Sequence, residues 1–550
     1  MSERSGPRAS WLPMVAIALG QVLMSYNVAS LPVALGGMVA SFNVPPTTVA
    51  TAIVMYSMLV AGFVMLGAKL NQRYGALPVF RTVVVAFGLA QVLMTFSPNA
   101  ALMMTAQGLA GAAGAALVPS LVALIAENYH GTQQATALGV LGSAQAGAGV
   151  AAFLIGGVLG TYIGWRPAFG LLIALSALTF VLSFKLEPDR GSADVAIDWI
   201  GVVLAALAVI LISVGFNNLN TWGVLLARTG APFNALGLSP APILIVVGVM
   251  IGQAFLMWTH RREEKGRTPL LVLAVIEAPE ERAAVYAMFS VVALAAMLNF
   301  SVPLYVQVIQ GRSPLATAIV MMPFNLSVFF AAILIVSLYD KLTPRQIGSY
   351  GFAICTGALL WLAFVVHNNW SEIPVLLGLV LFGIGQGALV TLVFNVLVTA
   401  SPKELAGDVG SLRGTTQNLA TAVGTAVAAA LLVGLLSAAV SRAIADHPQL
   451  TPELQSGVDL DNNLTFVSND RLRTVLEATT ATPQQVAAAV QINTDARLRA
   501  LKMGLVIMAM IALLSIVPAR RLPNYRPGEI PDPGARQAPV LECNNAEAHV

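Results

Sequence analysis

The sequence predicts an all-α polytopic membrane protein with fourteen transmembrane helices, arranged as two six-helix halves with two helices inserted between them. Three observations predict it. The 550-residue chain is 57% hydrophobic and only 10% charged, whereas soluble proteins carry about 25% charged residues. Fourteen apolar stretches are long enough to cross a hydrocarbon core about 30 Å thick, which takes roughly 20 residues of helix. Features of the early stretches recur late in the chain, as expected of transporters built from repeats. Helices are the form such stretches take, because in lipid each backbone group needs a partner within its own segment.

The first stretch, near 11–32, is apolar apart from Gln21, Tyr26 and Asn27. The second, 47–68, contains Tyr56 and runs into the basic connection Lys69 to Arg73, with Gly75 where a tight turn is expected. The third, 82–98, carries Gln91. The fourth, 101–126, has Gly108, Gly111 and Gly114 for close helix packing, with Gln107, Pro119 and a terminal Glu127. The fifth, 135–161, holds Gln145 and a run of glycines that includes Gly156 and Gly157; the sixth is 167–184. The seventh and eighth, 199–217 and 241–259, read as the insertion, with Asp198 favoured at a helix N-terminus by the macrodipole. The ninth, 284–309, carries Asn299 and Gln307, and the tenth, 315–338, carries Asn325. The eleventh, 347–367, holds Cys355. The twelfth, 373–399, repeats the glycine richness of the fourth with Gly383, Gly385 and Gly387, and includes Gln386 and Asn395. The thirteenth, 415–438, opens on Gln417 and Asn418, and the last is 501–518.

Residues 1–10 form the N-terminus, 11–186 the first half, 187–283 the inserted pair with its loops, and 284–518 the second half. The polar segment 441–499 reads as an external helical hairpin, and the proline-rich tail 519–550 as disordered. Cytoplasmic loops carry excess Lys and Arg. Both termini and the connections after stretches two, six, eight, ten and twelve hold 20 of the 29 basic residues, so both termini and those connections are expected in the cytoplasm. Residues 1–30 also resemble a signal peptide, ending Val28-Ala29-Ser30, but the apolar run is long for one and cleavage would leave an odd span count.

Chemistry is excluded more than suggested. Cys355 and Cys543 lie at different levels, and the five histidines are scattered. No zinc spacing, phosphate loop or dinucleotide fingerprint is present, so no metal, cofactor, enzymatic activity or nucleic-acid partner is expected.

Several motifs together resemble the fourteen-span drug:proton antiporters of the major facilitator superfamily, of the EmrB/QacA type, over roughly 11–518. Trp165-Arg166-Pro167-Ala168-Phe169 resembles that family's Trp-Arg-x-x-Phe. Asp198-Trp199-Ile200-Gly201 resembles its Asp-Trp-x-Gly, and Trp222-Gly223 its following Trp-Gly. Pro303-Leu304-Tyr305-Val306-Gln307, Gly311, Ser313-Pro314-Leu315 and Pro323 resemble its nine-to-ten signature. The resemblance implies the major facilitator fold and export by proton antiport. It also implies gating loops after stretches two and ten, with Arg73 and Gly75 in the first and Asp340 and Arg345 in the second.

The departures share one theme. Gln72 replaces the Asp of the first gating loop, and Gln107 stands twelve residues before Pro119 where the family has Arg. Leu23 stands where an Asp is common, and the family's Gly-Pro-x-x-Gly-Gly becomes Ala152-Phe153-Leu154-Ile155-Gly156-Gly157. The scaffold matches and the charge-coupling groups do not. Glu127 is the nearest acidic candidate for a proton site, although it lies at the cytoplasmic end of the fourth stretch, where a solvated helix-end charge is the favoured reading.

Neutral polar residues remain: Tyr26, Asn27, Gln107, Gln145, Asn299, Gln307, Asn325 and Asn395 are the expected lining of a substrate cavity, since such sites are apolar with a few placed polar groups. Each also reads as an interhelical hydrogen-bonding residue. The expected function is efflux of amphipathic or hydrophobic small molecules from a bacterial inner or plasma membrane. The partners are substrate and membrane lipid, with protons and a periplasmic adaptor left open. The alternatives are a lipid or hydrophobe transporter without an embedded carboxylate, and a non-transporting sensor or scaffold.

Overall fold

The computed structural model describes residues 10–129, 131–187, 191–234, 236–339, 341–367, 372–400, 405–446, 473–474, 477 and 482–525. Among these, fourteen helices are long and apolar enough to cross a bilayer. We label them α1 (Leu12–Phe42), α2 (Pro46–Tyr74), α3 (Ala76–Thr95), α4 (Ala100–Asn128), α5 (Gly131–Tyr162), α6 (Arg166–Leu182), α7 (Trp199–Asn217), α8 (Pro240–Glu264), α9 (Pro279–Pro303), α10 (Pro314–Leu334), α11 (Pro344–Val365), α12 (Ile373–Ala400), α13 (Ala406–Asp446) and α14 (Pro483–Leu514). The chain is a multi-pass membrane protein.

Helix starts follow from local chemistry. Proline opens α2, α8, α9, α10, α11 and α14, where its missing N–H costs no intrahelical bond. Side-chain caps accept backbone N–H groups at Asn99 (from Leu102), Asp198 (from Gly201), Ser313 (from Ala316) and Thr343 (from Gln346). Helices also outrun their apolar stretches. α13 starts at Ala406 and not near 415, and α14 at Pro483 and not near 501. Hydropathy marks only the lipid-length part, and the polar flanks Ala406–Thr416 and Pro483–Ala500 are helical as well. The hairpin expected over 441–499 is therefore partly α13 and α14; residues 447–472, and the tail from 526, lie outside the described residues.

The two halves repeat each other in their closest contacts. In the first, α2 and α4 meet backbone to backbone: a Cβ on Gly111 would fall on the Tyr56 carbonyl oxygen, and one on Gly67 would lie 2.6 Å from Ala116 Cα. In the second, α10 and α12 meet the same way, with a Cβ on Gly383 falling 2.6 Å from the Phe324 carbonyl oxygen. Such small-residue contacts let helices associate where lipid offers no hydrophobic drive. The inserted pair docks on one seam. Gly215 of α7 is closed in by Ile245 of α8, and Gly62 of α2 by Ala206 of α7.

Candidate transport pathway

Among the described residues most Lys and Arg lie toward the helix ends on the side where α1 begins; we call it the basic face. The halves meet along three seams. α2 lies along α13, where Thr415 Oγ1 donates to the Ala61 carbonyl at 3.2 Å and Gly414 packs on Val64. Away from the basic face, α5 lies against α10. Leu315 N–H donates to Thr161 Oγ1 at 3.0 Å, and a Cβ on Gly157 would lie 2.8 Å from Ala318 Cβ. On that opposite face α1 also meets the end of α9, through Gln307. The basic-face part of α5 differs: Cβ atoms added at Gly139, Gly142, Gly147 and Gly149 would meet nothing within 4 Å. On the face opposite the basic one the halves thus meet through α1 with α9 and α5 with α10; toward the basic face α2 and α13 stay together, with Lys69 beside Asp408, while these glycines of α5 face open space.

The amides divide into two groups. Asn27 and Gln107 are fully buried and bond each other, Nδ2 to Oε1 at 3.0 Å and Nε2 to Oδ1 at 3.3 Å, while Gln91 Nε2 donates to Asn27 Oδ1 at 3.2 Å. This triad ties α1, α3 and α4 within one half, so Asn27 and Gln107 form an interhelical lock here and not the open cavity wall expected. Tyr26 is 1% exposed. The partly open face of α1 instead carries Ala18, Gln21, Val22, Ser25 and Ala29, with Gln21 Nε2 donating to Ser25 Oγ at 2.8 Å. Asn299 and Asn325 are half-buried and donate back to the Ala295 and Met321 carbonyls, both at 2.9 Å. Gln145 is exposed on α5, and Asn395 donates to the Tyr339 hydroxyl at 3.0 Å. Gln307 is buried and engages backbone.

The α2–α3 connection is a one-residue turn. Gly75 has φ +89°, and the strap after α6 crosses it, with Ser192 N–H donating to the Gln72 carbonyl at 2.9 Å and Arg73 donating to the Val195 carbonyl at 3.3 Å. A Cβ on Gly191 would fall on the Gly75 nitrogen. A side chain at such a φ costs of order 1–3 kcal/mol. We expect Gly75→Val to slow transport at least about fivefold while folded yield stays near the parent, read by substrate flux and size-exclusion together. Asp340 lies outside the described residues; Arg345 is exposed at the start of α11.

The remaining motif residues make capping, stacking and packing contacts or lie exposed. Trp165 Nε1 donates to Ser41 Oγ at 3.0 Å, and Arg166 stacks on Trp165 and donates to the Ser97 carbonyl at 2.9 Å. Asp198 caps α7, accepts from Trp258 Nε1 at 3.1 Å and pairs with Arg262 at 3.5 Å; Trp199 is exposed. Pro119 sits within α4, and Gly156 packs on Val33. Glu127 is exposed at the end of α4.

Four groups escaped the sequence reading. Lys69, 7% exposed on α2, acts electrostatically on Asp408 of α13, which also accepts from Val272 N–H at 3.3 Å. Arg413 of α13 stacks on the Phe394 ring of α12, 3.9 Å from its centroid. Arg497, assigned above to an external segment, is buried beside Tyr305 among α9, α13 and α14. Sequence marks none of these, because a charge near a helix end normally reads as a solvated one. Among the described residues no three His, Cys, Asp or Glu side chains cluster as metal ligands.

The family model described as Major Facilitator Superfamily matches residues 17–425. The chain belongs to that superfamily. It is 23% identical over 76% of its length to the multidrug efflux pump LfrA of Mycolicibacterium smegmatis, covering 80% of that protein. It is 25% identical over 90% of its length to a multidrug resistance protein B homolog of Mycobacterium tuberculosis, covering 85% of it. Among solved structures it resembles a bacterial homolog of the human lysosomal transporter Spinster, in an inward-facing, unoccupied conformation, with a TM-score of 0.60 at 14% identity over 93% of this chain and 97% of that one.

Proposed function

We propose that the protein is a secondary transporter that exports amphipathic or hydrophobic small molecules across a cell membrane by alternating access. The basic face is then cytoplasmic, and the opposite face, where α1 meets α9 and α5 meets α10, is external. One observation carries the reading: α1 meets α9 and α5 meets α10 on the face opposite the basic one, whereas toward the basic face the glycines of α5 look onto open space, beside an α1 surface of apolar and neutral polar groups. The multidrug efflux pump among its relatives supports the direction. The resemblance implies proton antiport, yet the first half holds no buried carboxylate among its described residues, so the export proposed here leans only weakly on a pH gradient; a periplasmic adaptor belongs to the same proposal. The alternative of a hydrophobe or lipid carrier without an embedded carboxylate is favoured by one fact: among the described residues of α1 to α6, Glu127 is the sole carboxylate.

The test is flux of three fluorescent amphiphiles, one cationic, one neutral and one anionic, in proteoliposomes with and without a pH gradient. Saturable movement of at least one, above protein-free liposomes, is expected. No movement of any of them, with or without a gradient, would leave the scaffold reading standing.

A further inference from the structure

Gln307 reaches across the two halves and engages backbone, not a side chain. It sits in a wide π turn, Leu304–Ile309, that continues α9 past Pro303. Such a turn adds a residue to the helix and re-aims the side chains it carries. Gln307 Oε1 accepts from Gly36 N–H at 2.8 Å, and its Nε2 donates to the Pro32 carbonyl at 3.2 Å. In an α-helix the N–H of residue 36 and the C=O of residue 32 are each other's partners. The carboxamide therefore lies alongside one rung of the α1 ladder, offering an acceptor to its donor and a donor to its acceptor. Pro32 has already removed the neighbouring rung, because it has no N–H to give Val28. The approach needs a bare residue 36: a Cβ there would lie 2.9 Å from Oε1 and 3.0 Å from Gln307 Cβ.

This geometry has an uneven energy balance between making and breaking. When the halves part, the Gly36 N–H and Pro32 C=O keep each other as partners, so α1 is left with no orphaned polar group. The carboxamide is taken up by the water that enters. An ion pair at the same place would strand a charge in a low-dielectric site. We propose that Gln307 is a positioning residue of the transport cycle: a reversible latch, engaging the α1 backbone at Pro32 and Gly36, that holds the external side shut and releases without orphaning a group on α1. This rests on the alternating-access reading above. The seam of Thr161 with Leu315 closes beside it, so loss of the latch biases the equilibrium and does not abolish closure.

The test uses the full chain with Cys355→Ala and Cys543→Ala and a reporter Ala29→Cys. Ala29 lies on the Gly36 side of α1, two turns nearer the basic face, and is half-buried. An impermeant thiol reagent is applied from either face of sealed vesicles. Gln307→Leu and Gly36→Ala are each expected to raise the labelling rate from the external face about tenfold, as loss of two hydrogen bonds of ordinary strength implies. Gln307→Glu supplies a readout that packing alone would not move. Only its protonated carboxyl can both accept from Gly36 and donate to Pro32, so its external labelling falls as the outside is acidified, while that of Gln307→Leu does not. The charged residues toward this level of the surrounding elements are Arg166, Arg312, Asp495, Arg497 and Arg499, mostly cations, so the closing pH of this variant lies on the acid side. If a variant does not elute as folded protein, Gln307→Asn replaces it. Its amide is one methylene short of bridging both groups and predicts the same rise. Unchanged external labelling in folded Gln307 and Gly36 variants overturns the latch. A parent reporter that no condition, saturating substrate included, opens to the external face overturns alternating access itself.

Discussion

Gly111→Val is expected to remove most folded protein, whereas Gly139→Val, the same change one helix later, leaves it nearly intact. On α4, a Cβ at Gly111 would fall on the Tyr56 carbonyl oxygen and within 2.9 Å of Tyr56 Cα. These are main-chain atoms of α2, which no rotamer change can move. The pair would have to separate, and with it the reciprocal contact of Gly67 on Ala115 and Ala116. Overpacking a core costs about 1–3 kcal/mol where side chains can give way; here backbone must move, and total stability is only about 5–15 kcal/mol. Gly139 lies on the open part of α5, where an added Cβ meets nothing. The measurement is the monodisperse yield after extraction and its thermal midpoint for both variants. Equal yields would show that α2 and α4 are not held by this contact. Because the contact recurs where Gly383 and Gly387 meet α10, Gly387→Val is the matching test in the second half.

What the sequence makes legible follows from scale. A span is a property of some twenty residues, and summed hydropathy over twenty residues survives any single exception, so the fourteen spans and their order are readable. The glycines of α4 and α12 are readable too, since glycine in a span has few uses other than close approach. A single amide is different. Asn27, Gln107 and Gln307 have the same chemistry, yet two lock one half internally and the third bridges the halves. The difference lies in which way each side chain points, and α1 presents polar groups on more than one side: Gln21 and Ser25 on the partly open face, Asn27 on the buried one. Hydropathy and motif order are blind to that. The burial of Arg497 escapes for a related reason: Asp495, Arg497 and Arg499 read as part of a solvated helical hairpin until a neighbouring helix covers Arg497.

Substrate flux is expected to change by less than about threefold when the pH gradient is collapsed at constant membrane potential. A proton-coupled cycle needs a group that takes a proton in one state and yields it in another, and a carboxylate does so when burial shifts its pKa by whole units. In the first half the place where such a group would act is filled by the triad Asn27, Gln91 and Gln107, whose amides cannot titrate in this range and are bonded to one another. Glu127 is exposed at the end of α4, away from that triad. Breaking the triad should therefore act on stability and not on pH response. Asn27→Ala leaves the Gln91 and Gln107 amides short of a partner in a buried site, at a cost of about 1–3 kcal/mol. It should lower the thermal midpoint with the flux–pH profile unmoved. Gln21→Leu, on the partly open face, should instead change apparent substrate affinity with the midpoint unmoved. A steep gradient dependence that survives both Glu127→Gln and Asp408→Asn would falsify the neutral first half as the reason for weak coupling. The search would then pass to Asp340, the carboxylate the resemblance places in the second gating loop.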